Sequence, residues 1–161
     1  LADGQVAGYM EETGFFDTKW TVSIDGNTWF YAKFVTDEPI NENTDTLVSA
    51  TTYGFYDADD TCIGYAQEQA VKGGSGGYYI CYMDADGNPK DYYSNEEATQ
   101  TYDSEGNLIA TGTVDFNGFF ESQHCYVEIT AQEGSTMQMD FMDKMAMYLY
   151  LFSDFNSEHL D

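Results

Sequence analysis

Short runs rich in Thr, Val, Ile, Tyr and Phe recur along most of this chain. They are separated by clusters such as Asp25-Gly26-Asn27, Gly73-Gly74-Ser75-Gly76-Gly77, Asp86-Gly87-Asn88, Glu105-Gly106-Asn107 and Asn117-Gly118. β-Branched and aromatic side chains fit a pleated sheet surface, whereas Gly, Asn and Asp adopt the backbone angles of tight turns. The alternation predicts a mainly β fold, an antiparallel meander forming a β-sandwich or barrel. Strands are expected near 18–24, 28–36, 46–56, 61–71, 77–83, 89–94, 98–103, 107–116 and 119–130, about nine in all. No linker is visible, so residues 1–161 read as one domain, with Gly73 to Gly77 as a loop.

Two hairpins carry register information. Asn117-Gly118 supplies the positive φ values of a two-residue type I′ turn, which pairs Phe116 with Phe119. Leu108, Ala110, Val114, Phe116, Phe119, Cys125 and Val127 then share one face, opposite Thr111, Thr113, Ser122, His124 and Glu128. In the first hairpin, a three-residue Asp25-Gly26-Asn27 loop pairs Ile24 with Thr28 and gathers Trp20, Val22, Ile24, Phe30, Ala32 and Phe34. Trp29 and Tyr31 then point outward beside Thr21, Ser23, Lys19 and Lys33. A two-residue or four-residue loop would turn both rings to the Trp20 side and set polar residues opposite Phe30 and Phe34, so the three-residue loop is preferred.

The pattern changes after residue 134. Ser135-Thr136-Met137-Gln138 matches a capping box, and Met137, Phe141, Met145, Tyr148, Leu149 and Phe152 recur at helical spacing, which predicts a helix over 136–153 packed on the sheet. Met137, Met139 and Phe141 also alternate, as do Met145, Met147, Leu149 and Leu151, so a hairpin is the competing reading.

Asp and Glu number 29 against five basic residues, a formal charge of −24. The basic residues are all lysines, so the bidentate contacts that Arg makes with phosphate and guanine are missing and nucleic-acid binding is disfavoured. An aromatic share of 17% is too high for a disordered acidic tail. No apolar run approaches the ~20 residues that span a bilayer, so no membrane insertion is expected. Leu1 in place of Met points to processing or a trimmed end, and export to an extracellular or cell-surface location is the expectation. Cys62, Cys81 and Cys125 allow at most one internal disulfide.

Catalytic parts are scarce: His124 lies on a strand beside Cys125 but faces the other way, His159 lies near the end, and GxSxG, HExxH and GxxxxGK are absent. With 29 acids, proximity of two carboxylates carries no signal. The chain therefore reads as a non-enzyme without an obligatory cofactor. Calcium is the one ion with candidate ligands, Asp57/Asp59/Asp60 or Asp84/Asp86/Asn88, whose hard oxygens alternate. Neither run has the Gly an EF-hand requires, because Cys62 and Pro89 stand there, and Asp-Gly-Asn is equally a turn sequence. The methionines between Met137 and Met147 read as core filler before soft-metal ligands.

The aromatic surplus is more informative. Tyr78, Tyr79, Tyr82, Tyr92 and Tyr93, with Trp29 and Tyr31, cannot all face one small core, since neighbours on a strand point to opposite sides. Exposed rings flanked by polar side chains suit the apolar face and hydroxyl rim of a sugar. The leading expectation is a secreted binding module for a polysaccharide or glycan, with Trp29, Tyr31, Thr21, Lys33, Tyr92 and Tyr93 as ligand-binding residues. Alternatives are a subunit of an extracellular fibre or surface layer, self-associating as a homo-oligomer or filament through sheet edges, and an acidic inhibitor that mimics nucleic acid. A fourth is a small-molecule carrier. The early strand bearing Trp20 and the late helix resemble the order of elements in a lipocalin, with Thr18 where that family's opening motif has Gly.

Overall fold

The computed structural model describes residues 8–13, 19–36, 51–70, 77–117 and 124–159, with side chains left out for 116, 117, 124–126 and 152–159. Ten strands follow one another: β1 (Gly8–Thr13), β2 (Lys19–Ile24), β3 (Asn27–Thr36), β4 (Thr52–Asp57), β5 (Cys62–Ala70), β6 (Tyr78–Met83), β7 (Pro89–Asn95), β8 (Gln100–Asp103), β9 (Leu108–Asn117) and β10 (His124–Ala131). They form a single antiparallel sheet in sequence order, with β1 and β10 at its two ends, and a helix α1 (Phe141–His159) follows. The meander is thus as expected, with one strand more than the pattern revealed: β1 carries Glu11, Glu12 and few apolar residues, a weak strand signal. The expected strand residues 46–50 and the turn residues from Gly118 lie outside the described residues, as do Gly73 to Gly76. No described helix is long and apolar enough to cross a membrane.

Three hairpin turns repeat one hydrogen-bond plan. In Asp57–Thr61, Asp84–Asn88 and Asp103–Asn107 the leading Asp uses Oδ1 to accept the N–H groups two and four residues on, at 2.8–3.0 Å. The fourth residue of each takes a positive φ: 64° at Asp60, 81° at Gly87 and 84° at Gly106. Hydrogen bonding from the Asn side-chain amide, Asn88 or Asn107, and then from backbone N–H groups lowers the pKa of Asp84 and Asp103. Both runs with candidate calcium ligands thus fold as hairpin turns. In the second of them Asn88 donates its side-chain amide to Asp84.

The first hairpin departs from expectation. Asp25 and Gly26, with φ of 51° and 77°, form a two-residue turn that pairs Ile24 with Asn27. A register shift at Val22/Ser23 then takes up one residue, so Val22 faces Phe30 and Trp20 faces Ala32, as the longer loop would have required. Trp29 is the residue in the bulge. In the last hairpin His124 faces Asn117 and Cys125 faces Phe116, so Phe116 pairs with Cys125 and not with Phe119. The displacement is an even number of residues, so Val114 and Val127 still share a face. A second shift, at Thr101/Tyr102, places Leu108 opposite Tyr102 and gives its expected core place to Ile109.

The helix starts at Phe141, five residues later than expected. Ser135 Oγ donates to the Met137 carbonyl, so the anticipated capping box is not made, and 135–140 run without helical bonds. Asp140 takes the cap instead: its carbonyl accepts the Lys144 N–H at 3.1 Å, and Asp143 puts a second acid in the first turn, where the helix dipole favours negative charge. One face of the sheet, carrying Val22, Phe30, Ala32, Phe55, Ala66, Ile80, Tyr82 and Ala110, packs with Ala146, Met147, Leu149, Tyr150 and Leu151 into the core. Polar residues within that core satisfy one another. Tyr82 and Ser94 share a hydrogen bond, Ser94 and Thr101 a second, both 2.6 Å, and Thr101 donates to Met147 Sδ.

Candidate tyrosine face

The sheet face away from α1 is built by the residues that alternate with the core positions. On β3 and β4, Tyr31 sits directly opposite Tyr56 and their rings stack 5.3 Å apart at 17°. Lys19 Nζ lies 4.7 Å over the Tyr31 ring and Lys33 Nζ 4.9 Å over the Tyr56 ring, so the stack carries a cation at each end. The Tyr31 hydroxyl donates to Asp60 at 2.8 Å, and Thr21 faces Tyr31 across the β2–β3 ladder. These contacts leave Tyr31 only 8% exposed. Burial, then the charge of Cys62, raises the pKa of Tyr56. Tyr65 is pushed up to about 12, first by its hydrogen bond with Cys62 and then by burial.

Farther across the same face, Tyr79 on β6, Tyr93 on β7 and Tyr102 on β8 form a diagonal row, with both centroid separations 5.8 Å. Tyr93, in the middle, is 37% exposed. Each flanking hydroxyl is anchored: Tyr79 donates to Gln69 Oε1 and Tyr102 to Gln100 Oε1. Behind Tyr79 the chain continues, with Gln69 donating to Gln67 and Gln67 to Thr52 at 2.7–2.8 Å. Burial raises the pKa of the Tyr79 phenol, and it pushes the Cys81 thiol up to about 11, which leaves that thiol protonated and a poor nucleophile at neutral pH. Cys62 and Cys81 are both free thiols.

Of the expected binding residues, Thr21, Tyr31 and Lys33 are neighbours on this face, and Tyr93 lies on it four strands away. Three expectations are corrected. Tyr31 lies on the outward face but is buried there, 8% exposed, under Tyr56, Lys19 and its hydrogen bond to Asp60. Tyr92 is buried on the helix side, where its hydroxyl bonds Asp143, because it alternates with Tyr93. Trp29 is 46% exposed but does not accompany Tyr31: the bulge carries its ring to the helix side, where it stacks on Phe141 at 4.6 Å. The sequence reading passed over Tyr56 and Tyr102. Alternation from the buried Phe55 and Thr101 would have found both.

Comparison of the chain with family models, with curated proteins and with solved structures finds no match, so the tyrosine face stands on its own geometry.

Proposed function

We propose that the protein is a glycan-binding module whose platform is the row Tyr79, Tyr93 and Tyr102 rather than the pair Trp29 and Tyr31. One observation carries this reading: three consecutive strands each present a tyrosine to the same face, and two of the three phenols are held by glutamine amides. Rings fixed in this way lose little further side-chain freedom when a sugar covers them, and they bury its C–H surface while amides at the margin meet its hydroxyls. Export to the cell surface fits this role. Affinity electrophoresis against a panel of soluble polysaccharides is the test. Retardation by at least one polymer, lost in Tyr93→Ala and retained in Trp29→Ala, supports the reading; no retardation by any polymer overturns it.

A second reading, a fibre or surface-layer subunit, is favoured by the open sheet. The outer edges of β1 and β10 have no neighbour among the described strands, and unpaired edges accept strands from another chain. Filaments that lengthen with protein concentration in negative-stain micrographs would support it.

A further inference from the structure

We propose that the cleft between the sheet and α1 is an aromatic cage for a small alkylated ammonium ion, formed by Trp20, Tyr53 and Tyr150 with Glu68 as the counter-charge. The cleft is a pocket of about 80 Å³, room for a group of roughly the size of a trimethylammonium head, and Phe55 and Leu149 complete its walls. Its three rings stand almost at right angles in sequence. Trp20 and Tyr53 meet at 77° with centroids 5.4 Å apart, and Tyr53 and Tyr150 at 86° and 5.7 Å. Rings set as perpendicular walls surround a guest with π-electron density on several sides, the arrangement that holds alkylammonium ions by cation–π attraction.

Two polar groups of the lining residues are left unmatched. The Tyr150 hydroxyl, on a residue 9% exposed, is buried with no hydrogen-bond partner, an uncommon state for a buried phenol. Glu68 is half buried and forms no ion pair with any described lysine; burial, then repulsion from Glu96, raises its pKa. A guest cation would neutralise Glu68. The chain's charge of −24 raises the local concentration of any cation. This pocket lies on the helix side of the sheet and the tyrosine row on the other, so the two sites can be tested apart.

Trp29→Phe leaves Trp20 as the single tryptophan, and its emission then reports the pocket. In that background choline is titrated at constant ionic strength, beside its neutral carbon isostere 3,3-dimethylbutan-1-ol and beside sodium chloride. Choline is expected to saturate the signal, with the isostere at least tenfold weaker and sodium without effect. Glu68→Gln should weaken choline at least tenfold and leave the isostere unchanged. Equal affinity for choline and the isostere would make the pocket a plain apolar hole and overturn the proposal. So would a response to sodium that matches choline, or no response to choline in a variant whose circular dichroism is native.

Discussion

The phenol of Tyr92 donates a hydrogen bond to the carboxylate of Asp143, fifty-one residues away, and so ties the centre of the sheet to the first turn of the helix. The same Asp143 oxygen accepts Lys90 Nζ at 2.7 Å, Lys90 also reaches Asp140 at 2.8 Å, and the Asp140 N–H donates to the Tyr92 oxygen. Burial raises the pKa of Asp143 against the pull of Lys90 and Tyr92. Burial also works to lower that of Lys90, but the two aspartates outweigh it and raise it. Removing one partner from such a cluster leaves a buried charge uncompensated. Lys90→Met should cost about 3 kcal/mol, the low end for a broken buried pair because Lys90 is partly exposed, and Tyr92→Phe about 1–3 kcal/mol. Lys90→Met combined with Asp143→Leu should recover most of the loss. Urea unfolding measures all three, and a double variant no more stable than Lys90→Met would show that the charges are not coupled.

The helix sits close to β9 because Gly112 has no side chain. A Cβ there would lie 2.6 Å from Leu151 Cδ1, 2.9 Å from Met147 Cε and 2.9 Å from the Ala98 carbonyl oxygen. The two side chains can shift, but the carbonyl is backbone. Gly112→Ala should therefore destabilise by about 1–3 kcal/mol, as overpacking does, and push α1 from the sheet. Thermal unfolding gives the first quantity, and faster amide exchange in 144–151 reports the second.

Trp29 and Phe141 form a stacked pair although each is more than 40% exposed, at 46% and 45%. Their coupling in a double-mutant cycle, Trp29→Ala with Phe141→Ala, should be about 0.5–1.5 kcal/mol. Additive single effects would mean that the stack contributes nothing to docking the helix.

How legible this molecule is from its sequence varies with the range of the interaction concerned. The meander could be read because each strand announces itself by local residue type and each turn by Asp, Gly and Asn. The face assignments of Val114 and Val127 survived because period-two patterning is indifferent to even shifts of register, and those of Trp20, Val22, Phe30 and Ala32 because the bulge at Trp29 takes up the one residue by which the turn is shorter. The bulge at Trp29 was not legible. It trades one turn length for another at no change in composition, and its stacking partner lies in a helix remote in sequence. The helix start was missed for a related reason: Ser135 has the right local chemistry for a cap, but Asp140 is held at the true cap by Tyr92, a contact that only the folded sheet supplies. Tyr92 and Tyr93 looked equivalent in the sequence, and only the direction of alternation separates a buried anchor from an exposed ring.

The titrating groups also fix how stability should depend on pH. Burial raises the pKa values of Tyr82, Tyr92 and Tyr150, so the folded chain keeps these protons at a pH where the unfolded chain, with phenols at 10.0, has begun to release them. Lys90, raised above 10.5, acts in the same direction, since its ion pairs are present below that value and lost above it. Stability should thus fall steeply as pH climbs past about 10. Toward acid, Glu68 and Asp143 hold protons more tightly folded than unfolded, so stability grows as pH drops from neutral toward their ordinary values of 4.5 and 3.8. Lower net charge adds to that gain. Asp84 and Asp103 oppose it only at the extreme, because the stability from their lowered pKa values is present above 3.8 and lost as pH falls through the folded values. Urea midpoints across the pH range should peak on the mildly acidic side of neutral, and Asp84→Asn with Asp103→Asn should flatten the acid limb alone. A peak above pH 8 would contradict the assignment of the buried phenols and of Asp143.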